Sequence, residues 1–233
     1  GDDSFDLDTG WRGMAQFGLI VQGWCDENAQ KQGSGVGDNC GEMDGAENAG
    51  AQPFTAPLIY NFTVIGEPNS GDQGTEWRDN MRAQFHKCIF MDIGGKMVKD
   101  GGTGGDGGGY GNNGADTWAN IWSKNATDGS GNVANMVPAL SGYSQAFINA
   151  LYPNYLTVGG KWAQFSDCVF YNLNETASLS INQGTNNVMA SSRPIADLNR
   201  VSTPDFPGGL YMKRVTGIDP RAINDATTSA EYG

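Results

Sequence analysis

The 233-residue chain is poor in positive charge: 14 Lys and Arg stand against 26 Asp and Glu, with a single His, for a net charge of −12. Binding to a phosphate backbone needs clustered Lys and Arg, so no nucleic-acid partner is expected. Apolar runs near 18 residues are also missing, and no membrane span is expected. A basic region followed by an apolar leader is not found at the start, which reads Gly1-Asp2-Asp3. That start is compatible with a cytosolic protein, a processed secreted one or a fragment, and composition favours the second or third. The four cysteines, Cys25, Cys40, Cys88 and Cys168, include no CxxC or other metal spacing, which argues against zinc. What is abundant is glycine, with 35 residues, about twice the average usage. Few Lys, many Gly, Asn, Thr and Ser, and an even number of Cys favour an extracellular or outer-surface location. Cys25 and Cys40 flank the Gly-rich stretch 31–38. A bridge there would contribute about 3 kcal/mol, and the pair is read as a disulfide.

The chain repeats itself. Ala83-Gln84-Phe85-His86-Lys87-Cys88-Ile89-Phe90 reads against Ala163-Gln164-Phe165-Ser166-Asp167-Cys168-Val169-Phe170. A third copy starts at Ala15-Gln16-Phe17, a fourth keeps only Asn61-Phe62-Thr63-Val64-Ile65-Gly66, and a weak fifth is Asn120-Ile121-Trp122-Ser123. Each copy is read as β-branched and aromatic residues at period two, ended by Gly or Asn, which is strand chemistry. Alternate positions give two inward columns, Leu19/Phe62/Cys88/Asn120/Cys168 and Val21/Val64/Phe90/Trp122/Phe170. Unequal spacing between copies excludes a propeller and points to an all-β solenoid with loops of variable length. Cys88 and Cys168 share a column, either as stacked thiols or as a disulfide.

A second strand precedes the first in each turn of the repeat. Phe5-Asp6-Leu7-Asp8, Gly41-Glu42-Met43-Asp44 and Thr75-Glu76-Trp77-Arg78 align, with Leu7, Met43 and Trp77 inward. Asp6, Glu42 and Glu76 then form one outer column, and Asp8, Asp44 and Arg78 another. Like charges stacked at strand spacing repel, so they need a counter-charge: Arg12, Arg78, Arg82 or a bound cation. Carboxylates at this density suit calcium, a hard cation that takes oxygen ligands. Asp6, Asp8, Glu42, Asp44 and Glu76 are the candidate calcium ligands, against the alternative of a solvated acidic face. The run 101–106 also matches the start of a calcium-binding nonapeptide once, which a plain flexible loop explains better.

The chain is read as one domain, 1–233, with an insertion at 100–160. That insertion holds a Gly-rich loop, 101–114, and a short helix, 139–152, expected from Leu140, Tyr143, Phe147 and Leu151 at helical spacing and ended by Pro153. Residues 191–233 read as irregular, with one strand near 209–215. His86 reads as a structural surface residue. Of the six Trp, only Trp11, Trp24, Trp118 and Trp162 remain as candidates for a carbohydrate-stacking platform, with packing the competing role.

The stretches 1–13, 41–45 (Gly-Glu-Met-Asp-Gly), 60–66 (Tyr-Asn-Phe-Thr-Val-Ile-Gly) and 77–80 (Trp-Arg-Asp-Asn) together resemble a group of bacterial secreted surface proteins of Bacteroidetes type. The resemblance implies a right-handed parallel β-helix, broadly similar to the pectate-lyase-like superfamily, and export to the cell surface; it implies no reaction. A lyase would need a proton acceptor, and Arg78 or Arg82 beside the acids is a poor one. A hydrolase would need carboxylates framing a cleft, and no spacing among Asp8, Asp44 and Asp79 demands that. The favoured reading is therefore a non-catalytic structural or adhesive protein that self-associates into a fibre or surface layer. The alternative is a polysaccharide-binding or polysaccharide-cleaving domain.

Overall fold

The computed structural model describes residues 3–22, 39–45, 52–66, 68, 73–101, 117–134, 142–174, 185–192 and 194–195. Three sheets hold all the described strands, and every strand pair within them is parallel. The first sheet orders β1 (Asp6–Leu7), β4 (Glu42–Asp44), β7 (Thr75–Arg78) and β10 (Val98–Asp100). The second orders β2 (Met14–Gln16), β5 (Leu58–Tyr60), β8 (Gln84–His86) and β11 (Gln164–Ser166). The third orders β3 (Leu19–Val21), β6 (Thr63–Ile65), β9 (Ile89–Ile93), β12 (Val169–Leu173) and β13 (Val188–Met189). The chain thus visits the first, second and third sheets in that sequence four times, and none of the sheets closes on itself.

Apolar side chains at alternate positions fill the space inside. Met43 and Trp77 stand in register, as do Ile59, Phe85 and Phe165, and Val64, Phe90 and Phe170; all are buried. Aromatic rings stack along these columns, Phe85 on Phe165 with centroids 5.0 Å apart and Phe90 on Phe170 at 5.6 Å. Such pairs add about 0.5–1.5 kcal/mol each beyond the area they bury.

The corner between the second and third sheets is a one-residue device. Phe17, Asn61, Lys87, Asp167 and Asn186 sit there with φ of 60, 55, 57, 56 and 58°. Asn and Asp tolerate this left-handed conformation because their short polar side chains bond locally; Asn186 Nδ2 donates to Asp167 Oδ1 at 2.9 Å. The residue after each corner points inward, which places Gly18, Phe62, Cys88 and Cys168 in one column. Leu19 and Val21 were expected inside, but the register is displaced by one: Leu19 pairs with Thr63, and Ile20 lies over Val64 and Phe90. A side chain on Gly18 would run into the Phe62 ring, so the first circuit closes on a glycine.

The weak fifth repeat is not a strand. Asn120-Ile121-Trp122-Ser123 belongs to α1 (Trp118–Ser123), started by Thr117, whose side chain accepts from the Asn120 amide. The helix still fills the interior: Trp122 stacks on Trp77 at 5.1 Å and on Phe165 at 6.0 Å. The expected helix at 139–152 appears as α2 (Gln145–Leu151), capped by Ser144. Pro153 ends it and also opens α3 (Pro153–Val158), where its missing amide costs nothing. The buried face differs from the expected stripe. Ile148 packs inward, while Tyr143 and Phe147 stay exposed and stack on one another at 5.0 Å. The Gly-rich loop (apart from Gly101), the nonapeptide match beyond Gly101, Cys25, Trp24, residues 31–38 and the strand near 209–215 lie outside the described residues.

Candidate functional site

The first acidic column of the first sheet forms as expected, Asp6 pairing with Glu42, Glu42 with Glu76, and Glu76 in turn with Lys99; of the second column, Asp44 pairs with Arg78, while Asp8 lies just beyond β1. Their counter-charges are side chains. Arg78 donates from Nε and Nη2 to the two oxygens of Asp44, both at 2.7 Å, and its Nη2 stands 2.5 Å from Glu42 Oε1. Lys99 Nζ lies 2.8 Å from Glu76. Asp8, exposed, accepts from the amide and hydroxyl of Thr9. Among the described residues, no group of three or more His, Cys, Asp and Glu is arranged to hold a metal ion. Of the candidate calcium ligands, then, Glu42 and Asp44 converge on Arg78, Glu76 on Lys99, and Asp6 and Asp8 remain at the end of the ladder.

Electrostatics at that end are unbalanced. Burial, a hydrogen bond to Asp3 and the Asp3 charge push the Glu42 carboxyl from 4.5 up to about 8, and Arg78 acts in the opposite direction without cancelling them. Asp6 is raised by burial and by Asp3, Asp44 and Asp8. Arg78, bonded to Asp44, is held still more firmly in its charged form. The set does not frame a catalytic cleft: Asp44 is clamped by Arg78, and Asp79 is buried at a left-handed corner (φ 52°).

Two strands of the second sheet, β8 and β11, are buried at every position, on both faces. His86 is consequently not a surface residue. It is buried, stacks on Tyr60 at 4.6 Å and donates from Nε2 to Gln84 Oε1 at 3.0 Å, and burial pushes its pKa down to about 4. Gln84 Nε2 in turn donates to the carbonyls of Gly159 and Lys161, at 2.8 and 2.5 Å. Arg82, expected as a counter-charge to the acids, is fully buried with its guanidinium 4.2 Å over the Phe54 ring and bonded to the Asn80 carbonyl. Cys88 and Cys168 are free thiols that donate to the carbonyls of His86 and Ser166, at 3.4 Å each, and the neighbouring Cys168 thiol together with burial raises Cys88 far from ionisation.

A further concave feature lies on the described surface and was absent from the sequence reading as a unit. A cleft of about 390 Å³ lies between residues 10–13 of the first circuit and Ala150, Leu151 and Pro153 of the helical insertion. Trp11 and Arg12 line it. Of the four Trp left as stacking candidates, Trp162 is buried against Tyr152 and Tyr155, and Trp118 packs on Trp77 and Trp122. Trp11 lines the cleft. The signal for it was indirect, because the opposite wall comes from residues 139 positions later in the chain.

No family model, no curated protein and no solved structure matches the chain.

Proposed function

We propose that the chain is a right-handed parallel β-helix, displayed outside the cell or on its outer surface, with a structural or adhesive role exercised through self-association. The repeated visiting order of three all-parallel sheets supports the β-helix. Its hand follows from the strong preference of parallel crossover connections for right-handedness. The resemblance to bacterial surface proteins supports the location.

One observation carries the self-association. β1, β2 and β3 are the outermost strands of their sheets at the same end, and among the described residues no strand pairs with their outer edges. Large apolar side chains are exposed there: Phe17 at 77%, Leu19 at 65% and Met14 at 48%. An open parallel edge beside exposed apolar groups is a template for another chain, and the proposed occupant is a second copy, in a fibre or layer. The internal pairing of Glu42, Asp44 and Glu76 means that the acidic face does not need a cation to exist. Calcium is proposed only as an added ligand of the Asp6 and Asp8 end.

Sedimentation over a wide concentration range, paired with negative-stain electron microscopy, tests the proposal. Association that grows with concentration and is abolished by Leu19→Lys is the expected result. Monomers at every concentration would overturn it. A chelator arm tests calcium separately: unchanged association removes the cation and leaves the assembly.

A further inference from the structure

We propose that self-association is head-to-tail: β13, the last strand of the third sheet, receives β3 of a second copy, so that copies stack in one direction as an open filament. This direction rests on the self-association through the open first circuit and names the surface that receives it.

The two ends of the third sheet match. β13 lies at the opposite end of that sheet from β3, and among the described residues no strand pairs with its outer edge. Val188 and Met189 are large apolar side chains left exposed on it, as Leu19 is on β3. Register makes them the last members of two columns. Leu19, Thr63, Ile89, Val169 and Val188 form one; Ile20, Val64, Phe90, Phe170 and Met189 form the other, which runs through the interior. A second copy set on β13 in the same register puts Leu19 over Val188 and Ile20 over Met189, and both columns continue with apolar residues. One backbone bond also recurs at each step, the amides of Thr63, Ile89, Val169 and Val188 donating to the carbonyls of Gly18, Phe62, Cys88 and Cys168. Leu19 holds the first place in that series, and no earlier strand stands beneath it among the described residues. Stacking of this kind keeps the sheet all-parallel. Two first circuits meeting about a two-fold axis, with their inner faces kept inward, would instead run β3 against β3 antiparallel.

Charge favours the same direction. The first circuit carries Asp3, Asp6 and Asp8, and two such ends face to face would set acid against acid, which is destabilising. The far end of the first sheet is mixed. β10 presents Lys99, with Lys96 exposed just ahead of it and Asp100 after it, so two ammonium groups stand beside one carboxylate. A head-to-tail stack therefore spares the three acids a like-charged partner. An interface whose two halves differ is heterologous, and where its rotation does not close it propagates as a filament.

Sedimentation velocity on the full chain tests the direction at two exposed positions, one at each end. Leu19→Lys and Val188→Lys should each melt with the parent and, alone, stay monomeric at concentrations where the parent polymerises. An equimolar mixture should form a one-to-one dimer that grows no further, because each variant keeps the end that the other has lost. The double variant Leu19→Lys/Val188→Glu sets opposite charges across the contact and should associate about tenfold more tightly than Leu19→Lys/Val188→Lys. Dimers of Val188→Lys alone, a mixture that stays monomeric, or double variants of equal affinity would each overturn the head-to-tail contact while leaving self-association by another surface. A parent that is monomeric at every concentration would overturn both.

Discussion

Glu42 is the residue whose environment most clearly opposes its charge. It accepts an ion pair from Arg78, yet burial and Asp3 beside it hold its pKa at about 8 against an ordinary 4.5. A carboxyl raised in the folded state favours folding while it is protonated. Its contribution is therefore complete below about 4.5 and is lost as pH climbs through about 8. Glu42→Gln keeps the shape and removes the titration. The variant should match the parent near pH 4.5 and exceed it at pH 9 by about 1–2 kcal/mol, a figure reduced for partial solvent screening. Urea denaturation at the two pH values decides the matter, and a variant less stable than the parent at pH 9 would show that the Arg78 ion pair outweighs the buried charge. Arg78 is also where the sequence was most legible. Alternation of charge and bulk in 5–8, 41–44 and 75–78 sets which residues face out, and the strand pairing follows that pattern from Asp6 and Leu7 through Glu42–Asp44 to Glu76–Arg78.

At the scale of elements, the helical insertion decides what the second sheet can be. α2 and α3 are tied to the chain just ahead of β2 and β5 through a few directed bonds. Tyr152 Oη accepts from the Phe54 amide at 2.8 Å and donates to Gln52 Oε1 at 2.8 Å, from a fully buried position. Tyr152→Phe leaves a buried amide without its acceptor, which should cost about 1–3 kcal/mol and loosen α2 and α3 before the sheets. Limited proteolysis reads this out: cleavage within 142–158 should accelerate while β8 and β9 remain protected, and simultaneous loss of both would mean that the insertion and sheets melt as one unit. These contacts also mark where sequence reasoning stopped. The helix at 145–151 was visible from its spacing and Pro153, but its inward face was not, because the partner surface is set by residues about a hundred positions away. His86 read as exposed for the same reason: nothing local announces that Tyr60 stacks on its ring, or that the Gly159 and Lys161 carbonyls meet Gln84 beside it. Asn120–Ser123 imitated a strand because Ile121 and Trp122 are apolar and buried in either conformation, and the Thr117 cap tipped the segment into a helix. The third sheet slipped by one in the reading of its first copy because Phe17, a bulky residue, occupies the left-handed corner that Asn61 and Asp167 mark by their chemistry.

For the whole molecule, stacking of parallel circuits means that stability is distributed by position. Each circuit gains from the ones on either side, as in other repeat architectures. β5, β6, β8 and β9 have hydrogen-bonded strands on both sides, whereas β1, β2 and β3 have one neighbour each among the described residues. Inward residues reflect this: Ile59, Val64, Phe85 and Phe90 are buried, while Ala15 and Ile20 of the first circuit are only partly so. Opening of end strands exposes little new apolar surface, so it costs far less than global unfolding. Native-state hydrogen exchange in dilute solution should show protection highest in β8 and β9, intermediate in β5 and β6, and lowest in β1–β3. The same experiment separates intrinsic stability from assembly. If a second copy covers the open edges, mass action stabilises the covered strands in proportion to the logarithm of free protein concentration. Protection of β1–β3 should then rise with concentration while that of β8 and β9 stays constant. A gradient that does not respond to concentration leaves the stacked fold intact and removes the self-association, whereas uniform protection across all circuits would mean that the first circuit is as firmly held as the inner ones and that its apolar edge is not free to receive a partner.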